Sequence, residues 1–179
     1  MSQLIVGDVL RSRALHAMFG EPILVPDPFR LTHLMFRRYA GCPVGTRHLR
    51  QTADRHVDIL AAGVREVALF HSTAERLRRC YPGLPFPVVP DPERRCYAEF
   101  EVPELPARAA ALHRWRAAGR ALSEGFGGPG ALGLGEWHRG LPADVLIRPD
   151  GRILAVRYGR RVDDHWSVDD LLRIVAGTH

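Results

Sequence analysis

The sequence predicts an α/β domain built on a mixed sheet, and three observations point there. Apolar runs at 31–36 and 64–70 are each followed by a helix-like pattern, and a strand–helix–strand–helix order favours a parallel strand pair. Further on, 143–147 and 153–158 flank the turn Arg148-Pro149-Asp150-Gly151, which marks an antiparallel hairpin. A single cysteine, Cys42, stands between the first of these strands and its helix. At 179 residues the chain is expected to form one domain, 1–179, with a full core.

The first strand expected is 21–26 (EPILVP), a short one. Residues 31–36 (LTHLMF) are almost continuously apolar, as in a strand covered on both faces. A helix is expected from about Thr46 to Ala62, because Leu49, Ala53, Val57 and Leu60 recur three or four apart and Gly63 stops the pattern. Pro43 suits a first helical position, where its missing N–H costs little. Residues 64–70 (VREVALF) form the next strand. A helix then opens with Ser72 as N-cap and Glu75 closing a capping box.

Residues 82–92 are proline-rich, with a short apolar run at 86–89, and Asp91 begins a short helical segment through Cys96, Tyr97 and Phe100. A long amphipathic helix is expected over 105–122, its arginines on a solvated face. The six glycines of 125–135 read as a flexible loop, since no strand precedes them and no phosphate-binding glycine pattern is present. After the hairpin, Ser167-Val168-Asp169-Asp170 caps a final helix through Leu171, Leu172, Ile174 and Val175.

Composition excludes several functions. The chain has no lysine, so its 25 basic side chains are all arginine. That removes Schiff-base chemistry, pyridoxal phosphate anchoring and a P-loop, each of which needs a lysine. A net charge of +5 raises the question of nucleic acid, but the arginines are scattered among acids with no aromatic-rich basic stripe, and no nucleic-acid partner is expected. No apolar run approaches the roughly 20 residues of a membrane span, and the start lacks a signal-peptide pattern, so no membrane association and a cytoplasmic location are expected. Three cysteines, Cys42, Cys80 and Cys96, are an odd number that argues against a secreted disulfide scaffold. His33, His71, Asp163, Asp164 and His165 offer metal-ligating types without metal-ligand spacing, so neither a metal nor a cofactor is expected.

The thiol at Cys42 is the candidate reactive group. A cysteine at a strand–helix junction meets the positive end of the helix dipole and unpaired backbone N–H groups, both of which favour the thiolate. Strand, thiol, helix, strand, helix, hairpin and terminal helix is the order of a thioredoxin-like fold, and beside the family resemblance set out next, about 101–138 looks like a helical and glycine-rich insertion before the hairpin.

Several segments together resemble the peroxiredoxin-like proteins of the alkyl hydroperoxide reductase/thiol-specific antioxidant (AhpC/TSA) group. These are 36–44 (FRRYAGCPV), 47–50 (RHLR), 67–72 (VALFHS), 141–147 (LPADVLI) with Pro149-Asp150-Gly151, and 164–169 (DHWSVD). The resemblance implies a thiol-dependent oxidoreductase whose attacking cysteine is Cys42, supported by Pro43, Arg38, Arg47 and Tyr39. It makes Pro142 the proline held in cis opposite that cysteine, and lets the insertion cover the site. It implies a peroxide or disulfide substrate and a thiol reductant, and it admits a homodimer. Two positions depart from the pattern. Met35 and Tyr39 stand where typical members have the proline and threonine that help place peroxide, and Gly45 stands where many related proteins carry a second cysteine.

Arg37, Arg38 or Arg47 are candidates to balance the thiolate, and strand alternation turns only one of the first two to the site. A sulfenic acid at Cys42 needs a resolving thiol, from Cys80, Cys96 or outside. His48 lies six residues beyond Cys42, where helix geometry points it away, and 136–139 (EWHR) borders the expected pocket. Two alternative readings remain at this stage. One is a repurposed thioredoxin-like protein carrying out a specialised, non-redox biosynthetic step. The other is a partner-binding module without turnover.

Overall fold

The computed structural model of the chain describes residues 3–106 and 139–178. Its centre is a five-stranded sheet in the order β5-β4-β3-β6-β7, with β3 at Leu31–Arg37, β4 at Val64–Phe70, β5 at Val88–Pro90, β6 at Ala143–Ile147 and β7 at Ile153–Tyr158. β3, β4 and β5 run parallel, while β6 and β7 run antiparallel to their neighbours, so the sheet is mixed. A separate two-stranded ribbon pairs β1 (Arg13–Leu15) with β2 (Ile23–Val25). The helices are α1 (Pro43–Asp54), α2 (His56–Ala61), α3 (Ala74–Cys80), α4 (Arg95–Glu99) and α5 (Val168–Ala176).

Side-chain alternation divides the core into two layers. Leu34, Phe36, Val67, Leu69, Val145 and Ile147 face one way, and pack with Val25 of the ribbon and with Tyr97 and Phe100 of the α4 region. Met35, Ala68 and Phe70 face the other way against Leu49 of α1 and Leu77 of α3. On that same side Val64 and Leu146 meet Ile59 of α2 and Leu171 and Val175 of α5. Covered on both faces, β3, β4 and β6 explain their nearly unbroken apolar sequences.

The structure corrects the expected elements in several places. The helix expected over 46–62 starts earlier, at Pro43 with Cys42 as N-cap, and breaks at Arg55 into α1 and α2. Proline at the first helical position explains the start. The expected strand 21–26 is confined to Ile23–Val25, and its partner β1 was not foreseen, since three residues (RAL) carry no periodic signal. Thr73, rather than Ser72, caps α3. Glu75 pairs with Arg79 one turn on instead of closing a capping box.

Leu105 is not helical. It lies in a short antiparallel neck in which Glu104 bridges Gly140, with Leu105 N donating to Arg139 O and Leu141 N to Pro103 O. Pro106 disfavours helix at the residue before it, which accounts for the difference. The rest of the expected helix 105–122, the loop 125–135 and residues 136–138 lie outside the described residues. At the C-terminus, Ser167 and Asp170 form the capping box of α5.

Candidate functional site

Cys42 sits where β3 leaves the sheet and α1 begins. Gly41 precedes it with φ at +78°, a left-handed conformation that suits glycine and turns the chain into the helix. Thr46 N donates to Cys42 O at 2.8 Å, closing the first turn. The sulfur is enclosed, with Cys42 only 1% exposed.

Two side chains just upstream reach that sulfur. The Arg38 guanidinium donates from Nη1 to Cys42 Sγ at 3.6 Å and from Nε to Gly140 O at 3.0 Å. The Tyr39 hydroxyl is hydrogen-bonded to the Cys42 thiol, and its ring lies 5.3 Å from the Arg38 guanidinium carbon. Burial and the neighbouring Cys42 push the Tyr39 phenol well above its ordinary range, so it remains a neutral donor. Arg38 is itself buried, at 5% exposed, so its charge acts on the sulfur with little solvent screening.

Three further bonds hold the turn. Ala40 N donates to Ser72 Oγ at 2.8 Å, Gly41 N to the Tyr81 hydroxyl at 3.1 Å, and Thr46 Oγ1 lies 3.0 Å from that same hydroxyl. Sequence reading did not find Tyr81 as part of the site. Its one signal is a place directly after the α3 helix pattern, and the contact joins residues 40 and 35 apart along the chain.

The adjacent arginines separate as alternation predicts. Arg37 ends β3 and turns inward, donating from Nη2 to Asp144 Oδ1 at 2.7 Å. Asp144 also takes bonds from His33 Nε2 at 3.1 Å and from Trp166 N at 3.0 Å. Burial alone would raise the Asp144 carboxyl, but the Arg37 charge and the His33 bond outweigh it and hold it well below the carboxylate range. This group ties β3 and β6 to the loop before α5.

The other predicted residues scatter. Pro43 is the first residue of α1. Arg47 lies on the outer face of α1, lining a cleft of about 230 Å³ with Pro43, Val44, His48, Gln51, Asp163 and His165. His48 is buried, donates Nε2–H to Trp166 O at 2.8 Å, and packs against His165 with ring centres 3.8 Å apart and planes tilted by 45°. Burial first, then the Arg37 charge, holds both imidazoles below their ordinary value, His48 far below, so both are neutral at pH 7. Pro142 precedes β6 and its carbonyl accepts from Gly159 N at 2.9 Å. Contrary to expectation the Leu141–Pro142 bond is trans, and the Pro142 carbonyl carries the β6–β7 pairing one step further through its bond from Gly159 N. Among the described residues the cis bond is Val25–Pro26.

The two other cysteines differ in position. Cys96 is on α4, against the opposite layer of the core from α1, and burial together with the Asp91 carboxylate pushes its thiol up to about 11. Cys80 ends α3, in the same layer as α1, and Tyr81 follows it. All three cysteines are unbridged. Gly45 has room for a side chain: a Cβ there would lie 3.8 Å from Cys42 Cβ, an ordinary contact. His33, His71, Asp163, Asp164 and His165 do not converge, and no group of three or more metal-ligating side chains occurs among the described residues. No helix among those residues is long and apolar enough to cross a membrane.

Comparison with known proteins gives a consistent picture of fold. No protein-family model and no curated protein sequence matches the chain. Among solved structures, a PrxQ variant from Xylella fastidiosa is similar with a TM-score of 0.73 at 13% identity, over 99% of each chain. AhpC from Mycobacterium bovis gives 0.71 at 14% identity, covering 99% of this chain and 94% of the other. Peroxidoxin BcpB from Mycobacterium tuberculosis gives 0.67 at 15%, with 97% of each covered. A mixed five-stranded sheet, a cysteine at the N-cap of the helix after its central strand, and these neighbours agree: the chain has the peroxiredoxin form of the thioredoxin-like fold.

Proposed function

We propose that the protein is a thiol-dependent peroxide reductase that works through Cys42. The observation carrying this reading is the enclosed Cys42 sulfur at the start of α1, with the Tyr39 hydroxyl and the Arg38 guanidinium both directed at it. The threonine hydroxyl of the family pattern is missing, yet Tyr39 at the same position brings a phenol hydroxyl to the same sulfur. A hydroxyl donor and a cation beside a thiolate suit a reaction in which charge moves from sulfur onto a leaving oxygen.

In that reaction the Cys42 thiolate attacks the terminal oxygen of a hydroperoxide. The S–O bond forms as the O–O bond breaks, the leaving oxygen takes the electron pair and a proton to become an alcohol or water, and Cys42 is left as a sulfenic acid. Arg38 and Tyr39 face the oxygens as negative charge develops on them. Restoring the thiol requires an external thiol reductant. Cys80 is the better internal candidate for resolving thiol, because it shares a core layer with α1, whereas Cys96 lies across the sheet with its thiol pushed up. A cytoplasmic setting and a homodimer accord with this role.

The direct test is sulfenic-acid trapping at Cys42 during exposure to hydrogen peroxide. Fast trapping that disappears in Cys42→Ser supports the reading; trapping no faster than at an unassisted cysteine overturns it. One observation favours a second reading, a specialised non-redox step. Gly45 leaves the site with one cysteine, and the His48–His165 cleft lies alongside it. A small molecule retained by the purified protein, together with an inert thiol, would support that alternative.

A further inference from the structure

We propose that the cleft between the start of α1 and the loop before α5 is a binding site for a small hydroxycarboxylate, separate from the Cys42 sulfur. Arg47 would take its carboxylate and His48 Nδ1 its hydroxyl. The inference is independent of the peroxide-reductase reading, because Arg38 and Tyr39, which reach the sulfur, do not line this cleft. Arg47, His48 and Gln51 of α1 line it on one side, and Asp163 and His165 of the loop on the other. Its volume of about 230 Å³ exceeds several-fold the share of one water, about 30 Å³. It falls short of the about 300–1,000 Å³ of pockets for drug-sized ligands, so the molecule that fits is a small organic one.

Two unmet ring nitrogens set the chemistry of the cleft. His48 is 3% exposed, and its Nε2 is committed to Trp166 O at 2.8 Å. A carbonyl only accepts, so the proton sits on Nε2, and in the neutral ring Nδ1 carries a bare lone pair. That Nδ1 is buried without a hydrogen-bond partner among the described residues, and so is His165 Nδ1. Buried acceptors are rarely left unmet, so His48 asks for a donor. The surrounding charge decides which donor. The Arg47 guanidinium lines the cleft, and after burial the Arg37 charge is the main cause that holds both imidazoles below their ordinary value. Pro43 and Val44 also line it, so the positive end of the α1 dipole adds to this field. The acids that act on these rings are Asp144 and Asp163. Asp144 is paired with Arg37 at 2.7 Å, and Asp163, at the exposed rim, with Arg161 at 3.4 Å. A cationic donor is therefore disfavoured and an anion favoured. An anion that brings its own O–H meets both demands, and a hydroxycarboxylate is the organic class that does so at this size. The Gln51 amide can bond either group.

Lactate, propionate and ethylammonium separate these demands, since propionate lacks the hydroxyl and ethylammonium offers only a cationic donor. Each is titrated through the millimolar range into the full chain, with NMR of the histidine ring nitrogens as readout. Lactate should move the His48 Nδ1 resonance and bind about five-fold more tightly than propionate, the scale of one hydrogen bond. Ethylammonium should leave that resonance in place. Arg47 is exposed, so Arg47→Gln should fold normally and weaken lactate by about ten-fold, the scale of a lost charge-assisted bond. His48→Phe keeps a ring and removes the acceptor, and should erase the difference between lactate and propionate. Where His48→Phe does not fold, Arg47→Gln and the propionate comparison decide. An unmoved His48 signal, equal affinity for lactate and propionate, tighter binding of ethylammonium, or lactate binding untouched by Arg47→Gln each overturns the site. Cys42→Ser should bind lactate as the wild-type chain does. Absence of sulfenic-acid trapping at Cys42 therefore overturns the peroxide-reductase reading and leaves this site standing.

Discussion

By the sequence resemblance Tyr39 stands where the family pattern places a threonine, and its longer side chain brings a hydroxyl to Cys42. That substitution is legible as a departure in the sequence, but the recovery of the hydroxyl is not, because it depends on where a buried ring points. Cys42 and Pro43 were readable from local signals alone, a thiol followed by a residue suited to open a helix. Gly140 and Tyr81 were not, since they reach the turn from 102 and 40 residues away. Two predictions belong at this scale. Tyr39→Phe and Arg38→Met should each slow peroxide-driven oxidation of Cys42 by about 10²-fold, the usual cost of removing one preorganised donor. Stopped-flow rates against hydrogen peroxide would check this, with little change expected in the folded far-UV spectrum. For Cys96, a thiol pushed up to about 11 should alkylate slowly at pH 7.5 and accelerate as pH rises toward that value, as peptide mapping after timed iodoacetamide labelling would reveal.

Helix α1 illustrates both what sequence patterning sees and what it misses. The apolar spacing locates the helix, but the break at Arg55 is invisible to it, because the pattern continues smoothly into α2. The first turn also has an engineering consequence. A Cβ at position 45 would lie 3.8 Å from that of Cys42, the mean separation in disulfides. Gly45→Cys should therefore form an internal disulfide with Cys42 on mild oxidation, read as a loss of 2 Da and of two titratable thiols. Cysteines that stay reduced there would show that the turn is not shaped for dithiol chemistry.

At the far side of α1, His48 and His165 fasten the helix to the loop before α5. Both imidazoles are held below their ordinary value, so the folded chain binds fewer protons than the unfolded chain. Their contribution is present above about pH 6.5 and is lost as pH falls below it. The Asp144 carboxyl, held low, adds a second loss only at much lower pH. Melting temperature should therefore fall between pH 7 and pH 5, and fall less in a His48→Gln, His165→Phe double variant. The glutamine amide would keep a donor for Trp166 O, and an identical pH slope would contradict the assignment.

The whole molecule gathers its site from distant parts of one chain. β3 supplies the run into the turn, α3 supplies Tyr81, and the neck at 103–105 and 139–141 supplies Gly140 to orient Arg38. The parallel pair β3–β4 and the C-terminal hairpin were legible because each strand carries its own apolar run and turn residues. The mixed sheet agrees with the expected class, and solved neighbours at 13–15% identity share its fold. The ribbon partner β1 and the extended neck at Leu105 were not legible, because both depend on pairing between segments with no periodic signal of their own.

The central claim is that this assembly activates one sulfur. It is tested most directly by intact-mass labelling with a sulfenic-acid trap across a titration of hydrogen peroxide, with Cys42→Ser as control. Rapid, single-site adduct formation at low peroxide, absent from the control, is the predicted result. Labelling no faster than at a free cysteine, or labelling that persists in Cys42→Ser, would contradict it.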